Sequence, residues 1–157
     1  MMKLKNMKWL LSLLVLPFLV SCGWEDLPSY EDANITACQF RYRWASDVYI
    51  DDVTGEPLIL EMQMSANATI DAEAGTVNVA VTVPAAQSYF TTAVRDQVSL
   101  NNLCCQVTLS TAARIAPSDG NKVLGIPDNW TVPHNFVVTA ADGTKKNWTI
   151  TVTSFTK

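Results

Sequence analysis

Residues 76–83 alternate strictly between valine and small or polar side chains, and no other segment constrains the fold as strongly. Valine occupies every second position, at Val77, Val79, Val81 and Val83. Successive side chains of a strand point to opposite faces, so a period of two predicts a β-strand with one buried face. Pro84 follows and cannot donate a backbone hydrogen bond to a neighbouring strand, so the predicted strand ends before it.

Several other short segments predict strands, and together they indicate an all-β domain. Residues 35–44, 58–64, 105–109, 135–140 and 147–153 are rich in apolar, aromatic or β-branched side chains. The last two segments flank Asp142-Gly143, a dipeptide typical of tight hairpin turns. Residues 89–98 have room for one or two helical turns. Short strands separated by Gly, Pro and Asp-Gly turns predict an Ig-like antiparallel β-sandwich.

The first two dozen residues predict export from the cytoplasm. Three lysines precede an apolar run over residues 9–20, and the end of this run belongs to the sequence Leu-Val-Ser-Cys at residues 19–22. A basic start, an apolar stretch and a small-residue cleavage site are typical of a signal peptide. The ending resembles the lipobox of bacterial lipoproteins, and this resemblance implies that Cys22 is lipidated.

This interpretation divides the chain into three segments. Residues 1–21 are a lipoprotein signal peptide, residues 22–33 the lipidated cysteine and a tether, and residues 34–157 the sandwich domain. Acidic residues soon after the cysteine resemble an export signal of some Bacteroidota lipoproteins, and a solvated linker is the alternative. The predicted location is the outer membrane, with a lipid anchor at Cys22, on the cell surface or the periplasmic face.

Charge and motif content exclude several classes of function. The chain has 11 basic and 15 acidic residues, so it lacks the excess of basic side chains that is typical of nucleic-acid-binding proteins. His134 is the single histidine, and such a residue just before a strand is typical of a turn or surface position. The acidic residues at 47–52 and 71–73 lack calcium-loop spacing, and the cysteines lack zinc spacing. We therefore predict no enzymatic activity, no catalytic residues, no cofactor and no metal.

Three cysteines follow Cys22 in the chain. Cys104 and Cys105 are adjacent on a predicted strand and point to opposite faces, and the pattern around them turns Cys105 inward. Cys38 lies on the same face of the first predicted strand as several aromatic residues, and this face is also expected to point inward. A Cys38–Cys105 disulfide is one interpretation for an exported protein, and packing of small apolar side chains is the other.

Aromatic residues in two long loops are candidate ligand contacts. Tyr49 lies in the loop that follows the first strand, and Tyr89, Phe90 and Arg95 lie in the long connection after Pro84. Loops on a rigid scaffold are where sandwich proteins place binding residues, and an exposed aromatic ring can stack on the apolar face of a sugar. For each aromatic residue, a role in packing is the alternative.

The C-terminal third resembles a known family. It contains Pro127-Asp-Asn-Trp130 and ends with VTAADGTKKNWTITV at residues 138–152. This order resembles the Ig-like modules of Bacteroidota surface lipoproteins, many of them domains of unknown function, in which the ending forms the closing hairpin. The match covers most of residues 34–157 and departs between Pro84 and Leu103. It implies that Trp130 and Trp148 are core residues.

The same resemblance implies an accessory role in glycan capture or adhesion. The first hypothesis is a module that binds a glycan or another surface ligand through its loops. The alternative is a structural, adhesin-like subunit that pairs with a protein partner through a sheet edge, as exposed strands can do.

Overall fold

The alternating segments fold as strands in the computed structural model, which describes residues 30–118 and 124–157. The first half contains β1 (Ile35–Ile50), β2 (Pro57–Gln63), β3 (Ser65–Asp71) and β4 (Thr76–Thr82). A short helix, α1 (Thr92–Gln97), and a single 3-10 turn (Leu100–Asn102) follow. The second half contains β5 (Leu103–Leu109), β6 (Arg114–Pro117), β7 (Pro127–Asp128), β8 (His134–Thr139) and β9 (Lys145–Thr156).

Two sheets pack against each other. The strand order is β2-β1-β5-β7 in the first sheet and β3-β4-β9-β8-β6 in the second. The predicted all-β, Ig-like sandwich is confirmed, with one departure: β4 and β9 are parallel, whereas the other paired strands are antiparallel. Parallel neighbours require a long crossover, and the chain between β4 and β9 supplies it by contributing β5 and β7 to the other sheet.

The core lies between the inner faces of the two sheets. Val77, Val79 and Val81 of β4 are each at most 1% exposed, so the period of two in the sequence marks the buried face as predicted. Phe40 of β1 and Trp148 of β9 are also buried. Burial of each such side chain contributes about 1.5–3 kcal/mol relative to exposure, so these contacts are the main source of stability.

Residues at the end of the predicted tether pack against the sandwich. The main-chain oxygen of Ala33, a buried residue, accepts a 2.9 Å hydrogen bond from the indole Nε1 of Trp148. The carbonyl of Tyr30 accepts one from the backbone N–H of Asp142. The predicted signal peptide and Cys22 lie outside the described residues. No helix in the described part is long and apolar enough to cross a bilayer.

We expect Gly75→Ala to destabilise the fold by about 1–3 kcal/mol more than Gly55→Ala. Both glycines have positive φ, so either alanine meets a left-handed penalty of about 1–2 kcal/mol. An added Cβ at Gly75 would lie 2.3 Å from the carbonyl oxygen of Asn147, whereas Gly55 has nothing within 4 Å. Relief of such an overlap typically costs about 1–3 kcal/mol. Urea denaturation of both variants measures the difference, and equal losses would contradict this close approach.

Candidate functional site

A large bulge shapes the end of β1. Ala45 pairs with Ile59 and Ile50 pairs with Pro57. The chain therefore advances five residues along β1 but only two along β2. The buried hydroxyl of Ser46 accepts hydrogen bonds from the backbone N–H groups of Val48 at 3.1 Å and Tyr49 at 2.8 Å. The serine thus replaces acceptors that the partner strand would otherwise supply. Bulges re-aim side chains, and this one projects Tyr49, which is 51% exposed.

The β1–β2 hairpin ends in a turn that is closed by Asp51. Its carboxylate accepts hydrogen bonds from the backbone N–H groups of Thr54 and Val53, which lower the pKa of Asp51 below its ordinary value. The acidic loop therefore uses Asp51 to fix its own backbone. The hairpin nevertheless exposes many apolar side chains, namely Val48, Ile50, Val53, Leu58 and Ile59.

A second, tighter turn presents Tyr89. The backbones of Gln87 and Phe90 exchange two hydrogen bonds, of 2.8 Å and 2.6 Å, so Ser88 and Tyr89 form the corner of a two-residue turn. Ser88 has φ of 37°, in the left-handed region that non-glycine residues rarely adopt. The turn leaves Tyr89 45% exposed and buries Phe90 completely.

Helix α1 follows this turn and is held at both of its ends. The hydroxyl of Thr91 caps the helix by accepting from the backbone N–H of Val94. The Nε of Arg95 donates a 2.8 Å hydrogen bond to the carbonyl oxygen of Pro84. This bond closes the connection between β4 and α1 into a compact loop. The one or two helical turns predicted within residues 89–98 are therefore present.

Three aromatic rings form a stack from the core to the surface. The rings of Tyr42 and Trp44 are 5.7 Å apart at an interplanar angle of 15°, and those of Trp44 and Tyr89 are 6.2 Å apart at 20°. Phe90 contacts Trp44 at a tilt of 51°. Tyr42 is buried, and its burial raises the pKa of its phenol. The exposed Tyr89 ring is therefore held in place by rings that belong to the core.

The two loops meet in one groove of about 710 Å³, between the β1–β2 hairpin and α1. Its lining includes Trp44, Asp47, Tyr49, Tyr89, Val94 and Gln97, and Asp47 is the one charged side chain among the lining residues. Ligand sites typically have volumes of about 300–1,000 Å³ with an apolar lining and a few polar groups. This groove therefore has the dimensions of a ligand site, and its lining mixes apolar and polar side chains.

The structure divides the four predicted ligand contacts into two pairs. Tyr49 and Tyr89 both line the groove, so the loops named from the sequence come together. Phe90 is buried below the groove and Arg95 bonds to Pro84 outside the lining, so both are corrected from ligand contacts to supporting residues. Trp44 also lines the groove, and the sequence did not predict this, because Trp44 shares the inward parity of Phe40 and a packing role was expected.

The remaining candidate residues lie away from the groove. His134 is buried rather than superficial: its Nε2 is 2.7 Å from the carbonyl oxygen of Asn129 and its ring packs 4.3 Å from Trp130. Cys104 points away from the core yet is buried, and this desolvation raises the pKa of its thiol. Within residues 30–118 and 124–157, no group of three metal-ligating side chains is placed to hold an ion.

Comparison with known proteins identifies the family. Residues 35–151 match the family described as DUF5018-related. The chain belongs to this family. One solved structure that is similar to this chain is a "putative secreted protein" from Bacteroides fragilis. It shares 43% identity and a TM-score of 0.75, over 83% of this chain and 100% of that chain.

A second solved structure is similar at a lower level. It is a "putative glycoside hydrolase" from Bacteroides thetaiotaomicron, with 22% identity and a TM-score of 0.44, over 84% of this chain and 27% of that chain. This likeness is too low to carry an argument about activity. A comparison with curated proteins finds no match.

The family assignment confirms the coarser part of the predicted resemblance. The DUF5018-related family is a domain-of-unknown-function family, and its Bacteroides fragilis relative is consistent with a location outside the cytoplasm. Lipidation of Cys22, the outer-membrane location and the significance of the C-terminal hairpin motif stay predictions.

We expect Phe90→Ala to cost about 3–5 kcal/mol of unfolding free energy, and Tyr89→Ala about 1 kcal/mol. Phe90 is fully buried, so its removal leaves a cavity in the core. Tyr89 is half-exposed and loses mainly its stack on Trp44. Chemical denaturation of the two neighbouring variants measures both losses. A loss at Tyr89 as large as that at Phe90 would show that Tyr89 is a core residue.

Proposed function

We propose that the protein is a non-enzymatic binding module of the bacterial cell envelope that holds a glycan in the groove between the β1–β2 hairpin and α1. On this proposal the chain is anchored to the outer membrane through lipid at Cys22 and needs no cofactor. The secreted Bacteroides relative supports the location. The four predicted ligand contacts reduce to two, Tyr49 and Tyr89, with Trp44 added.

The stack of Tyr42, Trp44 and Tyr89 is the observation that carries this proposal. A sugar ring has an apolar C–H face, and an aromatic ring that is exposed and already immobilised can accept it with little loss of side-chain entropy. Tyr89 meets both conditions, because it is 45% exposed and stacks on Trp44. Polar groups at the rim, including Gln97 and Asp47, can hydrogen-bond sugar hydroxyls.

The position of the groove in the fold also supports display of a binding site. The first described residue, Tyr30, contacts Asp142 at the β8–β9 turn, beside the start of β1. The groove lies at the other end of β1, up to about 45 Å away if the strand were fully extended. The groove therefore lies at the end of the domain that is distant from Tyr30, the described residue nearest to Cys22 in sequence.

We expect Tyr89→Ala and Tyr49→Ala each to abolish glycan binding by the purified full chain. Both substitutions remove an aromatic face from the groove lining. Tyr30→Ala is the matched control, because Tyr30 is 57% exposed and lies at the opposite end. A glycan-array screen finds a ligand, and calorimetry with that ligand compares the three variants. Equal losses in all three, or binding that survives both groove substitutions, would place the site elsewhere.

A second candidate function is pairing with a protein through the edge strand β2. In the described residues β2 has one neighbour, β1, and the hairpin that it forms exposes Ile59, Leu58 and Val53. Exposed apolar side chains beside an unpaired strand edge are typical of assembly surfaces. This candidate corresponds to a structural, adhesin-like subunit.

Ile59→Lys is expected to prevent association through β2 with little effect on stability. Ile59 is 66% exposed, so the lysine is solvated in the monomer and is unfavourable in an apolar interface. Sedimentation velocity over a concentration series detects self-association, and co-purification from the native envelope detects a partner. Val132→Lys is the control, because Val132 is 55% exposed outside the hairpin. A monomer without a partner would exclude this candidate.

A further inference from the structure

Cys38 and Cys105 face each other inside the sandwich. The register of β1 and β5 pairs Cys38 with Val107 and Phe40 with Cys105, so the two cysteines are diagonal neighbours on the inner face. Their sulfur atoms are 3.5 Å apart, and the residues are 4% and 0% exposed. A disulfide bond is about 2.05 Å long, so the sulfurs would have to approach by about 1.5 Å.

Cys104 does not compete for this pairing. It is adjacent to Cys105 on β5 and therefore points to the opposite face of the sheet. On that face it lies opposite Arg41 of β1 and Pro127 of β7. Among the three described cysteines, only Cys38 and Cys105 have sulfur atoms in contact.

We propose that Cys38 and Cys105 are joined by a disulfide in the exported protein, and that Cys104 remains a free thiol. The oxidant is a protein disulfide of the thiol-oxidoreductase class. The thiolate of Cys38 or Cys105 attacks one sulfur of that disulfide, and the other sulfur leaves as a thiolate. The second cysteine then displaces the oxidoreductase from the mixed disulfide. The protein loses two electrons and two protons, and the oxidoreductase gains them and becomes a dithiol.

The surroundings determine when this bond can form. The contact with Cys38 and the burial of the site raise the pKa of the Cys105 thiol far above its ordinary value. Thiol–disulfide exchange requires a thiolate and access, so the folded core is a poor place for the reaction. The bond therefore forms while β1 and β5 pair, before the second sheet covers them. The same burial then protects the bond from reductants.

The bond would connect strands that are neighbours in space but distant in sequence. Cys38 and Cys105 are 67 positions apart, with β2, β3, β4 and α1 between them. A cross-link that closes a loop of this length removes much of the freedom of the unfolded chain. We expect it to raise the melting temperature by roughly 10 °C. It also fastens β1, the strand that carries Trp44 and Tyr49, to the centre of its sheet.

Peptide mapping without reduction tests the proposal directly. The full chain is exported to an oxidising periplasm as the Cys104→Ala variant, alkylated in denaturant without reductant, and digested with trypsin and Glu-C. The expected product is a cross-link between the peptide that ends at Arg41 and the peptide that ends at Arg114. Alkylation of both Cys38 and Cys105 in most of the protein would overturn the proposal.

Thermal unfolding provides a second measurement that does not depend on digestion. Reduction in denaturant, followed by refolding under reductant, should lower the melting temperature of the wild type and of Cys104→Ala by roughly 10 °C, because both contain the cross-link. It should leave Cys38→Ala unchanged, because that variant cannot form the bond. Identical wild-type melting temperatures with and without reductant would overturn the proposal.

Discussion

The stacking of Trp44 between Tyr42 and Tyr89 connects the hydrophobic core to the candidate groove. Tyr42 is buried in the sandwich, whereas Tyr89 is on the surface, and Trp44 is partly exposed between them. Phe90 also packs against Trp44, so the turn after β4 cannot move without disturbing buried contacts. The floor of the groove is therefore a continuation of the core, and its shape is fixed by the packing that stabilises the fold.

The opposite wall of the groove depends on backbone hydrogen bonding rather than on packing. Strand β1 leaves its ladder after Ala45, and Ser46 satisfies two of the N–H groups that lose their partners. The serine hydroxyl keeps these backbone groups hydrogen-bonded where the ladder is interrupted, and this stabilises the bulge. The bulge lets one strand serve two purposes: its first half contributes Phe40 to the core, and its last residues place Tyr49 at the groove.

The sequence predicts the long strands well because their alternation reports which face is buried. It does not predict β3, β6 or β7. Strand β3 alternates two alanines and one isoleucine with polar side chains, which is a weak apolar pattern, and β6 and β7 are only four and two residues long, so their pairing partners define them. In the site, the sequence locates both loops but cannot distinguish Tyr89 from Phe90. That distinction depends on the positive φ of Ser88, and a serine in the sequence does not predict this backbone conformation.

Charge distribution narrows the chemistry of a ligand for the groove. Asp47 lies in the lining, and Asp51, Asp52 and Glu56 lie along the same hairpin, where residues 44–60 contain no lysine or arginine. The nearby arginines of β1, Arg41 and Arg43, pair with Glu61 on the other face of the sheet. Sulfated or uronic-acid glycans would meet the Asp47 carboxylate without a basic side chain among the lining residues, whereas an uncharged sugar would not meet this repulsion. On the proposed function, the electrostatics of the groove therefore favours a neutral saccharide over an acidic one.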